Sequence, residues 1–234
     1  MKGGPIQHDT TIFHEKTGTS NHWYHPYRDS GHSFYPSSTP SAEMGTSYNA
    51  APSAANQPTK GEADAPVTIT EFGDYKCPSC KAWDEEIFPQ LEQEFIEEGD
   101  AQFVFINTPF HGEESELAAL ASESVWEHEP DAFWSFHEEL FQQQPEVQSH
   151  DDPWVTPEKL VEVAETNDVP IDEERLANDI NQQTYVNRVQ EDIAMVEDYE
   201  VEVTPTIMVG NVKVDDPFDY EAIKELVEQQ REEA

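Results

Sequence analysis

Cys77-Pro78-Ser79-Cys80 holds the chain's two cysteines. Thiols at this spacing suit disulfide exchange, half of a zinc site, or redox sensing. Local context favours exchange, because the motif follows a predicted strand and opens a predicted helix. Pro78 fits the first helical position, where its missing N–H leaves no bond unmade. Cys77 then sits at the helix N-terminus, where unpaired N–H groups and the positive end of the dipole stabilise a thiolate. Cys80, Trp83, Ile87 and Leu91 recur at helical spacing and predict an inward face. Cys77 shares its side with Lys81, Asp84 and Glu85, which are expected in solvent. The expectation is an exposed nucleophile, Cys77, and a buried resolving thiol, Cys80.

Three neighbours extend the candidate site. Lys76 and Lys81 flank the motif, either offsetting the acidic field around Cys77 or serving solubility alone. Glu71 ends an apolar strand. Its carboxyl is expected to be buried, with a raised pKa, and placed to exchange a proton with Cys80, unless the strand is an edge that faces it to solvent. A zinc site needs two further ligands. His111, His128, His137 and His150 are available, but none has paired ligand spacing, so neither a metal nor a cofactor is expected at the cysteines. His8, His14, His22, His25 and His32 lie near the N-terminus, and no pattern fixes a metal geometry around His22, His25 and His32.

The elements that must position these residues are legible. Val67–Phe72 is a β-branched run fit for a buried strand. A helix is predicted over 78–98, disrupted at Pro89, which breaks the hydrogen-bond ladder. A strand follows at Phe103–Ile106. Helical patterns fill 114–127, 131–141, 157–166, 172–179 and 184–199. In the last, Val186, Val189, Ile193 and Val196 predict one buried face. Phe133, Phe136 and Leu140 share a core face, within an aromatic set that also holds Trp126, Trp134 and Phe141. Strands at 206–209 and 212–214 are joined at Gly210-Asn211, a hairpin signal, before a helix over 220–232. This order predicts an α/β domain over 61–234, a mixed β-α-β … β-β-α sheet with a helical insertion at about 113–199. Residues 1–60, rich in Gly, Pro, Ser, Thr and Asn, read as a disordered low-complexity tail.

Charge bounds the function. The chain has 12 Lys+Arg against 50 Asp+Glu, a formal net charge of −38. A nucleic-acid interface built on clustered bases is excluded, as are a disulfide-stapled scaffold and a spanning apolar helix. Residues 1–60 are net neutral, with four acids and four bases, so the whole −38 falls on 61–234. Acids dispersed over every predicted helix read as adaptation to concentrated salt, which screens self-repulsion; the alternative is a strongly basic partner. No apolar stretch of a secretory signal is visible, and no cysteine in the tail offers a lipid anchor. The neutral tail also admits a true start further downstream.

Together these residues resemble the DsbA-like branch of the thioredoxin superfamily, from about Lys60 to Glu232. The marks are Val67–Phe72 leading to Cys77-Pro78-Ser79-Cys80, His111-Gly112-Glu113-Glu114-Ser115-Glu116-Leu117-Ala118-Ala119, Phe133-Trp134-Ser135-Phe136-His137, and Val203-Thr204-Pro205-Thr206. The resemblance implies a thioredoxin-like fold with Pro205 cis and facing the cysteines. It also implies Thr204 beside Cys77, offering its backbone to an extended substrate chain. The implied activity is thiol–disulfide oxidoreduction on protein or peptide thiols, with a membrane partner that reoxidises the pair, in an extracytoplasmic setting. With no visible export signal, the cytoplasm stays open. So do a cytosolic disulfide reductase and a non-catalytic redox-sensing or binding module. One departure stands out: the dipeptide between the cysteines, Pro-Ser, contains no histidine to stabilise the thiolate.

Overall fold

The computed structural model describes residues 44–145, 153–166 and 169–234. The five N-terminal histidines and His150 lie outside the described residues.

The central strand is β3 (Val67–Gly73), whose β-branched run suits a position paired on both sides. It runs parallel to β4 (Ala101–Asn107) and antiparallel to β5 (Thr206–Val209). The hairpin strand β6 (Val212–Val214) follows β5, with Val209 opposite Val212. Gly210 carries the turn at φ +52, and a Cβ there would meet the Gln230 side chain at 2.1 Å. A side chain there would be strained by the left-handed backbone and would have to displace the end of Gln230.

Two further strands come from residues that the sequence placed in the tail. β1 (Gly45–Ser47) pairs antiparallel with β6, and β2 (Thr59–Lys60) pairs antiparallel with β4. The sheet order is β1-β6-β5-β3-β4-β2. The lower boundary of the fold therefore lies upstream of 61. These edge strands are two and three residues long, too short to show the alternation that marks a strand in sequence.

Pleating sorts the β3 side chains between two cores. Ile69 packs with Phe103, Phe105, Ile207 and Val209 in the larger core, which also takes Trp83 and Leu91. Phe72 packs on the other face with Val104, Ile106, Met208 and Val196. The predicted long first helix is divided as Pro89 requires. α1 (Pro78–Glu86) ends at Ile87, α2 (Phe88–Leu91) follows, and a π-helical turn continues over Glu92–Ile96.

The helical insertion comprises α3 (Glu113–His128), α4 (Phe133–Gln142), α5 (Pro157–Thr166), α6 (Glu173–Asn181) and α7 (Val186–Asp198). Phe133, Phe136 and Leu140 are fully buried, as their spacing predicts. Phe141 is buried with them, and Trp126 and Trp134 are partly buried against the same core. α8 (Tyr220–Glu233) closes the chain.

The predicted inner face of α7 is corrected. Val189 and Val196 are buried, but Ile193 is 36 % exposed and Asp192 is buried in its place. The Asp192 carboxylate accepts from the Gln57 amide at 2.7 Å and the Asn107 N–H at 3.2 Å. Asn107 donates through its amide to Glu123 at 2.9 Å. A polar cluster thus ties α7 to the end of β4, to α3 and to the segment before β2. Apolar periodicity cannot reveal a helix face that buries an acid.

Candidate active site

The loop after β3 delivers the cysteines. Cys77 is the N-cap of α1 in an extended conformation (φ −79, ψ 117), and Pro78 occupies the first turn. The Cys80 N–H donates to the Cys77 carbonyl at 3.1 Å. Cys80 is fully buried, and the Asp74 N–H donates to its sulfur at 3.4 Å.

Cys77 departs from expectation: only 3 % of it is exposed. Its thiol donates to the Thr204 carbonyl at 3.3 Å, and the Thr204–Pro205 peptide is cis. Gln144, itself buried, donates to the Tyr75 and Cys77 carbonyls at 2.8 and 3.2 Å. Helix spacing describes α1 alone, whereas these contacts come from the loop before β5 and the segment after α4. The Cys77 side of α1 is not a solvent face for Asp84 either. Asp84 is buried, its carboxylate 3.6 Å from His137 Nε2, while His137 Nδ1 meets the Tyr75 hydroxyl at 2.9 Å.

The two thiols have opposite electrostatics. The Cys77 pKa is lowered to about 5 by a hydrogen bond from the Cys80 side chain, then by the Thr204 side chain and the N–H groups of Cys80 and Ser79, against the opposing effect of burial. Burial, followed by the neighbouring Cys77 and Glu71, pushes the Cys80 thiol well above the ordinary range. A thiolate is stable at one sulfur and costly at the other.

Glu71 lies in the central strand, flanked by Phe105 and Ile207, so the edge-strand alternative is removed. It is fully buried, and both carboxyl oxygens lack a hydrogen-bond partner among the described residues. Burial raises its pKa well above the carboxylate range, and the charges of Asp84 and Cys77 add to the rise. The group is held as a neutral acid. Gly73 leaves room for it, since a Cβ there would stand 2.8 Å from the Glu71 carboxyl and 2.4 Å from the Phe105 ring.

The flanking lysines separate. Lys76 is buried, not displayed to solvent, and its ammonium sits 3.4 Å from Glu114. Glu114 also accepts the N–H groups of Trp154 and Val155 at 2.8 and 2.7 Å, so Lys76 helps fasten the insertion to the cysteine loop. Lys81 donates to the Gln142 and Gln144 carbonyls at 3.3 and 3.5 Å, with Glu85 at 3.8 Å.

Asp74 and Gln144 are structural partners of the site that the sequence reading missed. An acid three residues before Cys77 was a usable signal for Asp74. Gln144 had none, being 67 residues from the carbonyl that it holds.

Comparisons with known proteins agree with this geometry. The family described as Thioredoxin matches residues 53–229. Disulfide bond formation protein D of Bacillus subtilis (strain 168) is 44 % identical over 179 residues, covering 76 % of this chain and 79 % of that protein. The crystal structure of oxidised BdbD from Bacillus subtilis superposes with a TM-score of 0.76 at 42 % identity, covering 81 % of this chain and 99 % of that one. DsbA from Chlamydia trachomatis shares the fold, with a TM-score of 0.63 at 24 % identity over 75 % of this chain and 92 % of that one. A cysteine pair at the head of α1, on a thioredoxin sheet with a helical insertion, places the chain among the DsbA-like thiol–disulfide oxidoreductases of the thioredoxin family.

Proposed function

We propose that the protein works mainly as an oxidant of protein thiols, with Cys77 as the nucleophile and leaving group and Cys80 as the resolving thiol. The observation that carries the direction is the lowered pKa of Cys77, to about 5. A stabilised thiolate favours the reduced pair, and a stable reduced form makes the disulfide a strong oxidant.

In the proposed cycle a substrate thiolate attacks Cys77 Sγ of the Cys77–Cys80 disulfide. The S–S bond breaks, and Cys80 leaves and takes a proton from neutral Glu71. A second substrate thiolate then attacks the substrate sulfur of the mixed disulfide. Cys77 leaves as a thiolate, and the substrate departs with its own disulfide. The pair has gained two electrons, and Glu71 recovers its proton from solvent. DsbA-like proteins return such electrons to a membrane partner, and we assign the same exit here.

Thr204 and Pro205 are proposed to receive the substrate chain, supported by the contact of the Thr204 carbonyl with Cys77. Val203 and Phe110 are 66 % and 44 % exposed. They belong to segments that bond to Cys77 and to Asp74, and they offer apolar contact to an unfolded chain. The dispersed acidity is proposed to suit concentrated salt; the melting temperature is then expected to rise between 0.1 and 2 M KCl.

The deciding measurement is the reduction potential of the cysteine pair. A value near about −120 mV is expected for an oxidant, and one near about −270 mV identifies a reductase and overturns the assigned direction.

A further inference from the structure

The dipeptide Pro78-Ser79 carries no cation, yet a histidine from another part of the chain is bonded to Asp74, three residues before Cys77. His111 lies in the loop between β4 and α3, and Asp74 fixes it. One Asp74 carboxylate oxygen accepts the Phe110 N–H at 2.8 Å, the His111 N–H at 3.2 Å and His111 Nδ1 at 2.6 Å. The other accepts the Lys76 N–H at 2.8 Å. The backbone of the same residue serves both cysteines, for its carbonyl accepts the Cys77 N–H at 2.9 Å and its N–H reaches Cys80 Sγ. The Asp74 side chain is fully buried, so it bonds the histidine out of water. Asp74 is therefore the joint between the cysteine loop and the loop that presents His111.

We propose that His111, positioned by Asp74, is the cation that balances the Cys77 thiolate in the reduced protein, supplying from the β4–α3 loop the charge that the Pro-Ser dipeptide lacks. The proposal rests on Cys77 being the thiolate-forming cysteine. The Asp74 hydrogen bond is the main influence that raises the His111 pKa, and the Cys77 charge raises it further, while burial and, less, Lys76 oppose. The ionisable groups around the imidazole are Asp74, Lys76 and Cys77 on the cysteine loop, and Glu113 and Glu114 on α3. Val155, Thr156 and Pro157, which share its cleft, add no ionisable side chain. The other cation on the cysteine loop, Lys76, has its ammonium 3.4 Å from Glu114.

Linkage makes the proposal testable on unmodified protein. If the imidazolium stabilises the thiolate, the thiolate must stabilise the imidazolium by the same free energy. The His111 titration midpoint, followed by NMR of its ring protons and assigned with His111→Gln, should be higher in the reduced than in the oxidised protein by about one unit. Equal midpoints in both redox states overturn the proposal. Such a result in a protein that still turns over leaves the oxidoreductase reading intact, whereas a pair that never exchanges disulfides defeats that reading first.

His111→Gln supplies the second readout. Between the Cys77 and His111 midpoints both charges are present, and the variant's pair should be about tenfold easier to oxidise, a potential lower by about 30 mV. Above the His111 midpoint the two proteins should converge. An offset that is constant with pH reports a structural role only and overturns the electrostatic one. His111→Lys should restore the potential and remove the convergence.

Discussion

Two regions of this molecule bury carboxyl groups, and they do so differently. At the Cys77–Cys80 end, Glu71 points into an apolar core with no hydrogen-bond partner among the described residues, and burial keeps it neutral. At the end of β4, Glu123 and Asp192 are also buried, and their pKa values are raised to about 8 and about 7, chiefly by burial. There, however, Gln57 and Asn107 bond the carboxyls and connect four segments. Glu71 makes no such bond among the described residues, and protonation of Cys80 is the role proposed for it. The other pair holds the insertion on the sheet. Burial alone moves a pKa; the partners decide whether the group serves chemistry or architecture.

The sharpest break between the regions lies at the sulfurs. Cys77→Ala is expected to abolish dithiol oxidation, while Cys80→Ser should accumulate mixed disulfides through Cys77 on non-reducing gels. Trapping through a Cys77→Ser variant would reverse the assigned roles. Glu71→Gln comes next. It keeps the shape and removes the proton, so formation of the mixed disulfide, the step in which Cys80 leaves, should slow by about 10²-fold in stopped-flow traces with a flatter pH profile, while the melting temperature hardly moves. An unchanged rate would place Glu71 with the architectural acids.

Gly73→Ala tests whether space around Glu71 matters. The added methyl group meets the Phe105 ring and the carboxyl, and overpacking of this kind costs about 1–3 kcal/mol, measurable by urea unfolding.

The β4 cluster tests the architectural side of the comparison. Glu123 has a folded pKa of about 8, above its unfolded value of about 4.3. Its raised pKa means that stability is fully present below about pH 4.3 and declines as pH rises toward 8. Glu123→Gln should flatten that decline and raise the melting temperature at pH 8 by roughly 2–4 °C per kcal/mol recovered, with chelator present so that no stray cation neutralises the carboxyls. A change in the cysteine reduction potential of this variant would show that the two regions are coupled.

Much of the fold was legible because its signals are local. The β-branched run of β3, Pro89 dividing α1 from α2, Gly210 in the hairpin, and the aromatic face of α4 each follow from a few adjacent residues. The missed strands β1 and β2 owe their place to partners 167 and 45 positions away. The inner face of α7 was misread at Ile193 because Asp192 takes the buried position through bonds from Gln57 and Asn107, both distant in sequence.

The same division runs through the site. Sequence determined the chemistry: two thiols at the head of a helix, a proline that starts the helix, and an acid within an apolar strand. Tertiary structure decided what surrounds that chemistry. It set Thr204 and Gln144 around Cys77, withdrew Lys76 to Glu114, and tied His111 to Asp74. Helix spacing governs only atoms on one element, whereas burial and charge depend on every element that packs against it.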